Sequence, residues 1–227
     1  VSRYRGETEA AASLALRSRF NQALTQSWFG AMMEVINNVT MLSIILTGAS
    51  LIREREHSTI EHLLAMPVTP LEIMVSKSWS MGVVVLFTCA LSLIVVVQGI
   101  LAVAIEGSLL LFFIGAALHL FATTSMGIFL ATVARSMPQF GLLMMLVLLP
   151  LQMLSGGVTP RESMPVVVQN VMQLAPTTHF VASAQTILYR GGGLEVVWIH
   201  FLKLVLIGTL LFVLALVCFR KTISLMA

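Results

Sequence analysis

The 227-residue chain is 58% hydrophobic and only 10% charged, whereas a water-soluble domain carries about 25% charged residues. This balance excludes an ordinary soluble fold and places the chain in a lipid bilayer. The net charge of +3 gathers at the ends of apolar stretches and forms no basic stripe, which excludes nucleic acid as the partner.

Residues 1–28 read as the end of an extracytoplasmic domain. Between Ser13 and Phe20, Leu14 and Leu16 alternate with polar or basic neighbours, as in a half-buried strand. The first residues contain neither a signal peptide nor an initiator methionine, so the chain is expected to be the C-terminal part of a longer protein. Trp28 and Phe29 mark the membrane interface.

Five apolar stretches follow, at Met32–Ile52, Trp79–Ile105, Leu109–Ala134, Pro138–Leu154 and Trp198–Phe219. Each reaches or approaches the ~20 helical residues that a hydrocarbon core of about 30 Å requires. Lipid offers the backbone no hydrogen-bond partners, and uninterrupted apolar runs lack the alternation of a barrel. The expected fold class is therefore all-α, a polytopic bundle of five spans, with residues 29–227 forming one transmembrane domain.

The connection after the first span, from Arg53 to Pro67, is the most closely specified polar segment. Ser58 followed by Glu61 is a capping box, which opens a short surface helix at about 58–66 that Pro67 closes. Ile60, Leu63 and Leu64 form its narrow apolar face. Thr69 with Glu72 is a second capping box, with Pro70 at the first helical position, and starts a helix that runs through Lys77 into the second span. His57, Glu61 and His62 lack the spacing of helical metalloprotease motifs, and no metal site is expected.

Polar side chains within spans are costly and often functional. Asn37, Asn38, His119 and Gln152 are the candidates for a translocation path, beside Glu34 and Gln98. The competing role is hydrogen bonding between helices, worth about 0.6 to 2 kcal/mol. His119, Thr123, Gly127 and Ala131 recur every fourth residue, a mostly small-residue stripe that favours packing for His119. Pro150 removes a backbone donor from the fourth span. Cys89 and Cys218 lie inside spans and read as small core residues.

Residues 155–197 are too broken by glycine and proline to span, yet largely apolar, and are expected to lie at or dip into the outer interface. Thr159-Pro160-Arg161-Glu162 repeats the capping-box pattern, and two short helices, Met164–Leu174 and Thr177–Tyr189, are predicted on either side of Pro176. Gly191, Gly192 and Gly193 release the chain into the last span. Leu154-Ser155-Gly156-Gly157 spells most of a nucleotide-contacting signature, but no G-x-x-x-x-G-K-[ST] loop accompanies it. Ser155 with His179 lacks an orienting acid and makes a weak catalytic dyad. No catalytic residue is assigned.

Arg53, Arg55, Lys77, Arg135, Arg220 and Lys221 fall on one side of the bundle, which the positive-inside tendency makes cytoplasmic. Glu106, Glu162 and Glu195 fall on the other, with Arg161 and Arg190. The C-terminus is then inside and the start of this chain outside.

Three places carry a resemblance to the type-2 ABC exporter permeases, the ABC-2 family. Glu54-Arg55-Glu56 with Thr59, Glu61, Leu63, Leu64 and Pro67 resembles the helix between that family's second and third spans, with Ser58 standing where many members have glycine. Gly157 to Pro165, with Pro160 between, followed by Ala175-Pro176-Thr177-Thr178, is similar to the family's outer re-entrant helical pair. Arg19-Phe20-Asn21 is similar to the end of its extracytoplasmic domain. The likeness covers essentially the whole chain and points to an enterobacterial type of inner-membrane permease. It implies six spans in the full protein, a dimer with a second copy or a related permease, and two ABC ATPase subunits that bind the ATP and magnesium, with no cofactor on this chain. The expected function is ATP-driven export across the bacterial inner membrane, with Glu54, Glu56, Ser58, Thr59, Ile60, Glu61, Leu63, Leu64 and Pro67 in ATPase coupling. The alternative is an intramembrane enzyme or a scaffold without transport.

Overall fold

The computed structural model describes residues 26–56, 69–101, 105, 107–134, 136–157, 159 and 163–224. The strand expected at 13–20, the surface helix expected at 58–66, and the capping pair of Thr159 with Glu162 fall wholly or partly outside these residues. Every regular element among the described residues is helical.

Helix α1 (Gln26–Glu56) is 31 residues long, about 46 Å at 1.5 Å per residue, and so exceeds the apolar core of a bilayer. Its last turn contains the charged run that begins at Arg53. Helix α2 (Pro70–Leu91) starts at the foreseen capping box: the Thr69 hydroxyl accepts from the Glu72 N–H, and the Glu72 carboxylate accepts from the Thr69 N–H at 2.7 Å. Its axis continues through a π-helical stretch, Ser92–Ile100, closed by the Leu101 N–H donating to the Val96 carbonyl at 2.9 Å. This span ends before Ile105; Gly99, a poor helix former, sits at its C-terminal end.

Helix α3 (Leu109–Val133) is capped by Ser108, and α4 (Met137–Leu154) opens with Pro138 in its first turn and continues past Pro150. The two short helices are present as α5 (Val166–Met172) and α6 (Pro176–Arg190). Gly191 closes α6 in the left-handed conformation, φ 62°, where a side chain would be strained. Helix α7 (Leu194–Ser224) begins four residues ahead of the apolar run at Trp198, with Glu195 in its first turn.

Five of these helices are long and apolar enough to cross a membrane: α1, α2 with its π-helical extension, α3, α4 and α7. Helix α3 is the axle, packing most extensively against α7 and α1 and also against α2 and α6. One buried cluster surrounds Met32, Phe112, Phe180 and Val197; a second, further along α1 and α3, surrounds Ile44, Ile128, Phe140 and Phe219. The outward faces of α2, α4 and α7 are apolar, as at Phe87, Leu142 and Leu206. In lipid that exposure carries no hydrophobic cost, so helix contact depends on close packing and hydrogen bonds. Gly127 of α3 makes such packing possible: a Cβ there would meet the Ile44 carbonyl oxygen of α1 at 2.8 Å.

Candidate functional site

The charged end of α1 bonds to three other helices through three successive residues. Glu54 pairs with Lys77 of α2, and both side chains are largely shielded, at 29% and 13% exposure. Arg55 donates through Nη1 to the carbonyls of Ala131, at 2.9 Å, and Ala134, at 3.0 Å. These belong to the last turn and cap of α3, where carbonyls lack helical partners and the helix dipole is negative. Glu56 accepts through Oε1 from the Met137 N–H at 3.1 Å, an unpaired donor at the positive start of α4. Successive helical side chains diverge by about 100°, which lets neighbouring residues reach three elements. The second oxygen of Glu54 is buried without a partner among the described residues, and Arg53 is exposed.

Halfway along the bundle a polar seam joins α1 to α3. Thr40 donates to the Ile36 carbonyl at 3.0 Å and lies 2.9 Å from His119 Nε2. With its proton committed to Ile36, the Thr40 hydroxyl accepts from Nε2, which assigns the His119 proton to that nitrogen. One turn along, Ser43 lies 2.7 Å from Thr123 and 2.9 Å from the Thr40 carbonyl, and the His119 ring stacks on Phe180 of α6 at 4.4 Å. His119 is fully buried. The arrangement is that of a packing group, one that ties α1, α3 and α6 together.

The other path candidates stand elsewhere. Asn38 donates to Glu34 at 3.2 Å and lines a cavity of about 230 Å³ between α1 and α2, with Thr88 and Ser92. Asn37 and Gln152 are half-buried, and the Gln152 carbonyl accepts from Ser155. Between α4 and α7, Pro165 precedes α5 and Pro176 opens α6, while Gly157 packs against Met33, where a Cβ would lie 2.7 Å from the sulfur. Pro160 is outside the described residues. His179 bonds through Nε2 to the Gln173 carbonyl at 2.8 Å and faces His200 across 3.4 Å with Nδ1. Ser155 instead donates to Gln152, so Ser155 and His179 form no dyad.

The sequence reading left Thr40 and Ser43 unnoticed as bonding groups. Their signal was present: Thr40, Ser43, Thr47 and Ser50 recur at intervals of three or four residues along the first span, a polar stripe in an apolar helix. It also assigned no bond to Arg55, because a carbonyl acceptor has no sequence signature.

A helical bundle with five span-length members among the described residues, a hydrogen-bonded interior seam and a largely buried shorter helix, α6, defines a polytopic membrane protein. Its family is more specific. Residues 9–189 match the ABC-2 type transporter family, and the chain belongs to it. The chain is 63% identical over all 227 residues to the inner membrane transport permease YhhJ of Escherichia coli K12, covering 61% of that protein. It is 29% identical over 187 residues, 82% of the chain and 50% of the relative, to the probable multidrug ABC transporter permease YbhR of the same organism. To the probable multidrug ABC transporter permease YbhS it is 32% identical over 184 residues, 78% of the chain and 47% of the relative. The chain thus spans between about half and three fifths of the length of the curated relatives it matches.

Proposed function

We propose that this chain is the membrane-spanning part of an exporter permease in a bacterial inner membrane, paired with a second copy or a related permease and driven by separate ABC ATPase subunits. The match to the ABC-2 type transporter family over residues 9–189 carries this reading. ATP and its magnesium belong on the partner, and this chain contributes the path and the coupling. In the full protein a sixth span and a larger outer domain precede it, residues 1–28 being the end of that domain. The surface helix at 58–66 is the contact with the ATPase, its apolar face seated on the partner.

The probable multidrug names of YbhR and YbhS make lipophilic cations the first compounds to test. Inside-out vesicles holding the full-length protein and its ATPase are expected to accumulate a lipophilic cationic dye with ATP and not with a non-hydrolysable analogue. Failure of the purified protein to recruit any ABC ATPase would sink the reading.

Orientation has its own test. Gly193 is exposed, with open space around its Cα, and Arg53 is exposed at the opposite end of the bundle. In a background lacking Cys89 and Cys218, Gly193→Cys is expected to react with an impermeant maleimide in intact cells, and Arg53→Cys only after lysis, as the charge asymmetry requires. The reverse pattern would invert the topology.

A further inference from the structure

We infer that Glu54, Arg55 and Glu56 are positioning residues that convert a displacement of the cytoplasmic connection after α1 into a joint movement of α2, α3 and α4. The inference rests on the proposed function, since it supposes a motor acting on residues 57–68.

Three observations lead to it. First, the bonds are distributed: Glu54 to Lys77 in α2, Arg55 to Ala131 and Ala134 at the end of α3, Glu56 to Met137 at the start of α4. A run that only neutralised charge could satisfy itself within α1, at the i, i+3 and i, i+4 spacings helices offer. Here each residue leaves its own helix. Second, the partners of Arg55 and Glu56 are backbone groups at helix ends. Arg55 and Glu56 bond to backbone, so whatever moves them acts on the whole helix and not on a flexible side chain. Third, α1 is one uninterrupted helix from Gln26 to Glu56, locked to α3 further up by the Ser43–Thr123 and Thr40–His119 bonds and by the Ile44–Gly127 approach. Helices α2 and α4 share less of their length with α1 than α3 does. For them the charged end is the attachment that a pull on α1 would use.

Packed helices respond to such a pull by discrete shifts, not by bending continuously. The pair of Glu54 and Lys77 suits that role because it is shielded on both sides. Removing one partner leaves the other charge partly shielded from water and unpaired, which favours the two ends moving together.

The test uses the full-length protein bound to its ATPase in nanodiscs, with Cys89 and Cys218 replaced. Spin labels at Ile100 and Leu194, both exposed at the outer end, report the distance between α2 and α7; the latter bonds to none of the three charged residues in the contacts above. In the unaltered complex, ATP with vanadate is expected to shift that distance. Arg55→Gln is expected to reduce the shifted population about tenfold while hydrolysis stays within about twofold, a separation typical of lost coupling between sites. Glu54→Lys and Lys77→Glu, each alone, are expected to lose the shift, and the two together to regain it.

Retention of the shift in Arg55→Gln and in both single reversals would overturn the inference. So would a parallel loss of hydrolysis and shift that the charge exchange fails to rescue, because that is the behaviour of a purely structural contact. An unaltered complex that binds its ATPase yet shows no shift refutes the inference and leaves the proposed function standing. A full-length protein that binds no ATPase refutes both.

Discussion

Replacing Leu63 and Leu64 together with aspartate is expected to weaken ATPase association by at least about 100-fold and to abolish transport, with membrane insertion intact. The size follows from how interfaces divide their energy. A few apolar anchors in well-packed pockets each contribute about 2 kcal/mol or more, and two such losses amount to about 4 kcal/mol, or nearly a thousandfold. Ile60, Leu63 and Leu64 are the apolar face of the helix predicted at 58–66, residues that lie outside those the structure describes. What the structure adds is the frame on either side. Helix α1 is fastened to three neighbours up to Glu56, and α2 resumes at the Thr69 cap. A short helix between two fixed points transmits force better than a free loop would. Insertion should persist because both leucines lie outside the apolar stretches read as spans in the sequence. Co-purification of the tagged ATPase with full-length double variant, and its hydrolysis rate, are the measurements. Normal association and transport would mean that this face rests on lipid headgroups, a common role for amphipathic surface helices.

The second large effect is expected from Gly127→Leu. A Cβ at this position would meet the Ile44 carbonyl oxygen at 2.8 Å and its Cα at 3.2 Å. Both are backbone atoms of α1, which cannot rotate aside as a side chain can, so the helices must separate. Overpacking alone costs about 1–3 kcal/mol. Separation also stretches the Ser43–Thr123 and Thr40–His119 bonds, each worth about 0.6 kcal/mol or somewhat more in a membrane. The sum is about 2–4 kcal/mol. Gly141→Leu is the internal control, since a Cβ there meets nothing within 4 Å, and leucine is the better helix former by about 1 kcal/mol. Thermal unfolding in detergent should therefore show a large fall in Tm for the first and none for the second. Equal Tm values for the two variants would show that α1 and α3 do not meet as described.

Much of this molecule was readable before folding because its strongest signals are local. Spans are set by the length of an apolar run, and four of the expected runs lie close to the observed helices, while the second, expected at Trp79–Ile105, belongs to a helical span at Pro70–Ile100. The start of α2 was set by Thr69, Pro70 and Glu72, which satisfy one another's backbone groups within four residues. The two short helices between α4 and α7 were set by Pro165, Pro176 and Gly191 through fixed backbone angles. The ends of helices were less well read, since α1 and α7 run beyond their apolar cores where charged residues continue a helix as readily as apolar ones.

The sequence by itself thus determined a helical membrane bundle, the five span-length helices found among the described residues, and the small-residue stripe along α3. Only the tertiary structure decided which partners the polar residues take. His119 and Thr40 are 79 residues apart, and Arg55 meets carbonyls 76 and 79 residues away. A hydrogen bond is specific in geometry but not in identity: any hydroxyl or carbonyl at the right distance and angle will serve. Composition fixes that backbone groups must be satisfied inside lipid, and the packing of α3 against α1, permitted by Gly127, fixes which polar side chains meet across the two helices.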